Sequence, residues 1–220
     1  KFSLYKINYE LAQIKLKQKK SIKVECFLGS VNDMNRMEFI IKQNSIDTLY
    51  HAAAYKHVTL VENNPGEAIK VNVFGTKIIC NLVNKYKIKS FVLVSTDKAV
   101  NPSNVMGATK KLAELIVQAA SRKLTQTKFS IVRFGNVIGS SGSVIPKFSE
   151  QIKNGGPVTV THKKATRYFM TIPEASQLII QASSLSEENS LFILEMGNPI
   201  NIFKLAERMI RLSGCNIKNF

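Results

Sequence analysis

Phe91-Val-Leu-Val-Ser-Thr-Asp-Lys-Ala-Val-Asn-Pro-Ser-Asn-Val-Met-Gly-Ala-Thr-Lys110 reads as a strand, a polar turn and the start of a helix. The apolar run Phe91–Val94 suits a strand buried on both faces, as in parallel sheets. Ser95, Thr96, Asp97 and Lys98 then fall at its carboxyl end, the edge along which open α/β sheets bind ligands. A hydroxyl, a carboxylate and an amine at one strand tip can move protons to and from a ligand. A Ser/Thr/Asp turn that merely caps the next helix is the plainer alternative. Met106 and Lys110, four apart at the helix start, share one face.

Outward from this stretch, strands and helices alternate. Leu4, Ile7, Leu11 and Ile14 predict an amphipathic helix over 3–18. Ile22–Leu28 reads as a strand ended by Gly29-Ser-Val-Asn-Asp33, with a helix of about ten residues after it. Strands are expected at Thr48–Ala52 and Phe129–Arg133, and helices at Glu67–Tyr86 and Gly107–Arg122. This βαβ alternation predicts a Rossmann-like, doubly wound parallel α/β sheet over residues 1–135. After Phe134 glycines and prolines break the pattern, and helices are expected near 145–153, 173–185 and 202–213. A smaller mixed α/β region over 136–220 would cap the sheet and bind substrate.

Composition narrows the function classes. Of 220 residues 45% are hydrophobic and 21% charged, ordinary for a globular protein. No apolar run approaches the roughly 20 residues of a bilayer span. Cys26, Cys80 and Cys215 match no metal or redox spacing and read as free thiols in a reducing cytoplasm. The net charge of +16 is scattered, with only Lys17-Gln-Lys-Lys20 clustered, and no aromatic stacking platform accompanies it. Nucleic acid is therefore not expected as a partner, and part of the charge would serve a polyanionic ligand.

Several ordered motifs resemble one family. His51-Ala-Ala-Ala-Tyr-Lys-His57, Asn72-Val-Phe-Gly-Thr76, Ser95-Thr-Asp-Lys98, Asn104-Val-Met-Gly-Ala-Thr-Lys110 and Arg133-Phe-Gly-Asn-Val-Ile-Gly-Ser-Ser-Gly142 are similar to the nucleotide-sugar 4,6-dehydratases. Gly156-Pro-Val-Thr-Val-Thr161 and Thr166-Arg-Tyr-Phe-Met-Thr-Ile-Pro173 extend the likeness. These are extended short-chain dehydrogenases acting on UDP-N-acetylglucosamine. Their superfamily motif is Tyr-x-x-x-Lys; here Met106 stands at the Tyr position, and a thioether cannot carry a proton. The Met variant resembles the larger, membrane-anchored branch used for capsule, O-antigen and protein-glycan sugars.

The resemblance implies NAD as cofactor and UDP-N-acetylglucosamine as substrate. It puts Asp33 at the adenine end, Ala52, Ala53 and Ala54 along the cofactor groove, and Lys110 on the nicotinamide ribose. Asn72 and Ser95 would support the cofactor. Thr96 would meet the C4 hydroxyl, Lys98 would take the C5 proton, and Asp97 would protonate the departing C6 hydroxyl. Lys56 joins the substrate pocket, Asn136 and Arg167 the diphosphate, and Thr159 and Thr161 the uracil. Core packing for the three alanines and a plain surface role for Arg167 are the alternatives. The implied reaction retains configuration at C5, with C4 oxidation, C5 deprotonation, loss of the C6 hydroxyl and hydride return to C6. An epimerase of the same superfamily and a non-catalytic binding module are the competing readings.

The family's Gly-x-x-Gly-x-x-Gly turn does not occur in this chain and is expected upstream of Leu4. The chain thus reads as a catalytic domain shortened at both ends, binding NAD weakly by itself. The resemblance further implies a homo-oligomer, a cytoplasmic location and, in the full-length protein, a membrane anchor at the inner face of the inner membrane.

Overall fold

Phe91, Val92 and Leu93 have no exposed surface, and alternate side chains of this strand face opposite helix layers. The computed structural model describes residues 2–18, 22–123, 126–140, 142–187 and 189–216. It contains α1 (Phe2–Gln18), α2 (Met34–Gln43), β1 (Thr48–His51), α3 (Val58–Asn63) and α4 (Pro65–Ala68). A π-helical segment, Ile69–Gly75, runs on into α5 (Thr76–Lys85). Then come β2 (Ser90–Thr96), a 3₁₀ turn at Asp97–Ala99, α6 (Val105–Ser121) and β3 (Lys128–Phe134). The remainder is β4 (Asn136–Val137), α7 (Val144–Lys153), β5 (Thr166–Arg167), β6 (Phe169–Met170), α8 (Ile172–Leu185), β7 (Ser190–Ile193), β8 (Ile200–Asn201) and α9 (Ile202–Leu212).

β1, β2, β3 and β7 form one parallel sheet in that order, with Ser95 opposite Arg133 and Arg133 opposite Ile193. On one face Ile79, Leu82 and Val83 of α5 and Ala113 and Val117 of α6 pack on Phe91, Leu93, Phe129 and Ile131. On the other, Ala182 and Ile179 of α8 cover Val92 and Val132. The expected Rossmann-like parallel sheet with helices on both faces is present, its described strands running in chain order.

Beyond residue 135 the chain divides its loyalties. β4 pairs with β6, β5 pairs with β8, and α7 and α9 close a separate core around Phe148, Ile202 and Ala206. α8 and β7, however, return to the main sheet.

Two expectations need correction. Ile22–Leu28 is not a strand: a strand requires a hydrogen-bonded neighbour, and no described segment pairs with it. The helix expected over Glu67–Tyr86 runs Pro65–Lys85 and includes the π-helical turns. The amphipathic α1 is helical as expected, but Ile7 and Ile14 remain about half exposed.

Candidate active site

The polar tip of β2 is held by its own side chains. Thr96 Oγ1 donates to Asp97 Oδ1 at 2.9 Å and accepts from the Lys98 N–H at 3.4 Å. Lys98 Nζ donates to Asp97 Oδ1 at 2.9 Å and to Asn136 Oδ1 at 3.2 Å. Asn136 opens β4, directly after β3, so the sheet register brings it beside the tip of β2.

Asn104 caps the start of α6, its Oδ1 accepting from the Gly107 N–H at 2.8 Å. A Cβ on Gly107 would lie 2.3 Å from the Lys98 carbonyl oxygen. Glycine is therefore what lets the first turn of α6 press against the Lys98 backbone. One turn on, Lys110 is buried and donates through Nζ to the Val94 carbonyl at 2.7 Å. Burial pushes its amine down to about 8, against the charge of Glu114, which favours the protonated form. Met106 packs against Val61 and Ala68.

These elements surround a cavity of about 420 Å³, within the size range of small-molecule sites. Ala52, Ala54, Lys56, Ser95, Thr96, Lys98, Met106, Lys110 and Asn136 line it. Asp97 stands beside them through its bonds to Thr96 and Lys98. The sequence thus brings most of its expected site residues to one place, between β1, β2, β3 and α6.

Others sit elsewhere or act differently. Asp33 is the N-cap of α2, its carboxylate accepting from the Arg36 N–H at 2.9 Å. Ala53 is absent from the cavity lining. Asn72 is buried, not a groove residue: it accepts from Tyr55 N–H at 2.7 Å and donates to the Tyr55 carbonyl and Thr109 Oγ1, each at 3.0 Å. With its amide so committed, its role is to pin the Tyr55 loop to α6. Thr159 Oγ1 accepts from Gln151 Nε2 at 2.8 Å, Thr161 is exposed, and Arg167 donates to the Thr166 carbonyl, all outside the cavity lining.

Sequence reasoning missed Glu114 and Arg133. Glu114 has no exposed surface; Arg133 grips it with Nε at 2.8 Å and Nη2 at 2.5 Å, and Ser95 Oγ donates to it at 2.5 Å. Burial pushes the Glu114 carboxyl up, but the bonds from Arg133 and Ser95 and the charges of Arg133 and Lys111 outweigh it, leaving it below the usual range. Ser95 thus lines the cavity with its hydroxyl turned to Glu114. The signal was there: Glu114 lies four residues after Lys110, on the buried face of α6.

A parallel α/β sheet with this cluster at the carboxyl end of its strands defines a Rossmann-like protein of the short-chain dehydrogenase type. The chain belongs to the polysaccharide biosynthesis protein family (Polysacc_synt_2), whose pattern matches residues 1–219. It is 48% identical over 212 residues to the capsular polysaccharide biosynthesis protein CapD of Staphylococcus aureus, 96% of this chain and 35% of CapD. It spans about a third of that relative's length. A UDP-glucose 4-epimerase of Rickettsia canadensis is 36% identical over 78% of this chain and 50% of its own. A UDP-N-acetylglucosamine 4,6-dehydratase (inverting) of Campylobacter jejuni is 34% identical over 76% and 50%. Among solved structures, Pen from Bacillus thuringiensis superposes with a TM-score of 0.86 at 36% identity, over 96% of this chain and 67% of Pen. MoeE5 in complex with UDP-glucose and NAD shares the fold, with a TM-score of 0.76 at 18% identity over 86% and 68%.

Proposed function

We propose that the protein dehydrates UDP-N-acetylglucosamine to its UDP-4-keto-6-deoxy sugar, with NAD as resident cofactor, for surface polysaccharide synthesis. The observation that carries this is the pairing of Lys98 with Asp97 at 2.9 Å on a cavity that also holds Met106. An elimination needs a base and an acid close together, and the tip supplies both. Met106 cannot do the proton work of the superfamily's tyrosine, so that work passes to Asp97 and Lys98.

The residues present suit a dinucleotide. Ala52 and Ala54 let a flat ring approach the tip of β1, and Lys110 offers a buried donor for ribose hydroxyls. NAD, when bound, supplies hydride acceptance and return at the sugar. Thr96 orients the C4 hydroxyl. The C4 hydroxyl proton passes by way of Thr96 to the Asp97 carboxylate, and Lys98, held between Asp97 and Asn136, takes the C5 proton as the free amine. Asp97 gives its new proton to the C6 hydroxyl, which leaves as water, and Lys98 returns a proton to C5 once C6 is reduced. Residues 1–135 would carry the cofactor and 136–220 the sugar nucleotide. Asn136 and Arg167 would hold the diphosphate, an arginine fork matching two phosphate oxygens, and Thr159 and Thr161 would face the uracil.

An epimerase is the second reading, favoured by the likeness to the Rickettsia enzyme. The product separates them. Incubation with NAD and UDP-N-acetylglucosamine should give a 4-keto-6-deoxy sugar by proton NMR. Formation of the C4 epimer alone would refute the dehydratase reading.

A further inference from the structure

Glu114 is a carboxylate with no exposed surface, and charged groups are rarely buried so fully without a purpose for their partners. Its three hydrogen bonds tie α6, where it sits, to two other elements that build the cavity, β2 and β3. Ser95, on β2, immediately precedes Thr96, Asp97 and Lys98. Arg133, opposite Ser95 on β3, precedes Asn136 by three residues, and Asn136 receives a hydrogen bond from Lys98. Glu114 itself sits on α6 one turn beyond Lys110, which is tied to β2 through the Val94 carbonyl. The cluster lies beneath the cavity, joining the elements that carry the proton-transfer groups to the one that carries Lys110.

We infer that Glu114 is a positioning residue: with Ser95 and Arg133 it locks the Thr96–Asp97–Lys98 tip against α6 and sets the electrostatic surroundings of Lys110. Arg133 makes a two-bond fork that fixes direction as well as distance, so small rotations of the tip relative to α6 are resisted. Around Lys110 the charged and titratable groups are Glu114 on its own helix and His51 on β1. Lys98 lines the same cavity from the 3₁₀ turn after β2, Arg133 on β3 is bonded to Glu114, and Lys111 lies 4.0 Å from the Glu114 carboxylate. The charge of Glu114 favours the charged form of Lys110, and burial opposes it.

The role in turnover rests on the dehydratase reading; the coupling to Lys110 does not. The test is a carbon NMR titration of the lysine ε-carbons in the intact protein and in Glu114→Gln, with Lys110→Arg identifying the signal. Lys110 should titrate near 8 in the native protein and roughly a unit lower in the folded variant. An unmoved midpoint in folded Glu114→Gln overturns the inference. Should that variant not fold, Ser95→Ala removes one hydrogen bond and leaves the ion pair. The Lys110 signal must then still shift, and an unmoved signal overturns the inference. On UDP-N-acetylglucosamine, folded Glu114→Gln should lose roughly tenfold in kcat with little change in KM, as misplacement of reacting groups does. A native protein that turns over no nucleotide sugar would refute the functional reading, while the Lys110 midpoint would still decide this one.

Discussion

Acid should weaken this fold in part through a single buried side chain, His51. Its ring is buried at the tip of β1, 3.0 Å by Nε2 from Thr76 Oγ1. Thr76 gives its single hydroxyl proton to the Asn72 carbonyl at 2.7 Å, so it must accept from the ring, and the network assigns the neutral ring's proton to Nε2. Burial, helped by the charge of Lys110, pushes the imidazole from 6.5 down to about 4. The unfolded chain therefore takes up a proton near 6.5 while the folded one resists until about 4. Stability tied to His51 is complete above 6.5 and is lost as the pH falls through 4. At 1.36 kcal/mol per unit, that gap corresponds to about 3 kcal/mol by pH 4, a large part of a typical net stability of ~5–15 kcal/mol. The assay is urea unfolding at pH 7 and pH 4 of the native protein and of His51→Gln, whose amide can still donate to Thr76. The native protein should lose about 3 kcal/mol more than the variant over that range. Parallel losses in the two proteins would refute the reasoning.

Two substitutions probe the site and the core. Gly107→Ala would gain about 1 kcal/mol from helix propensity alone. Its Cβ would instead lie 2.3 Å from the Lys98 carbonyl, so the variant should lose both stability and most turnover. A gain in melting temperature with full activity would show that α6 does not press on the Lys98 turn. Phe91→Ala empties a fully buried site whose ring lies 5.5 Å from that of Phe129, and urea unfolding should show a loss of about 3–5 kcal/mol. A loss under 1 kcal/mol would mean this strand is not the centre of the core.

The parallel sheet was readable because β2 and β3 are apolar on both faces, a pattern that helices do not need. Met106 and Lys110 were readable because helical spacing alone puts them on one face. The gathering of Ala52, Lys98 and Asn136 followed from the resemblance, since they lie just past the ends of three strands far apart in sequence. Strand status at Ile22–Leu28 was not readable, because pairing depends on a neighbour that composition does not reveal. The π-helical turns at Ile69–Gly75 were hidden too: one extra residue per turn shifts the apolar face without erasing it. Glu114 escaped because its partners lie 19 residues away in either direction, on two strands.

The most direct measurement is proton NMR of the protein with UDP-N-acetylglucosamine and NAD in heavy water, beside Lys98→Ala. The account predicts a 4-keto-6-deoxy sugar carrying deuterium at C5, formed by the native protein and lost in the variant. The same deuterated product from Lys98→Ala at the native rate would contradict it.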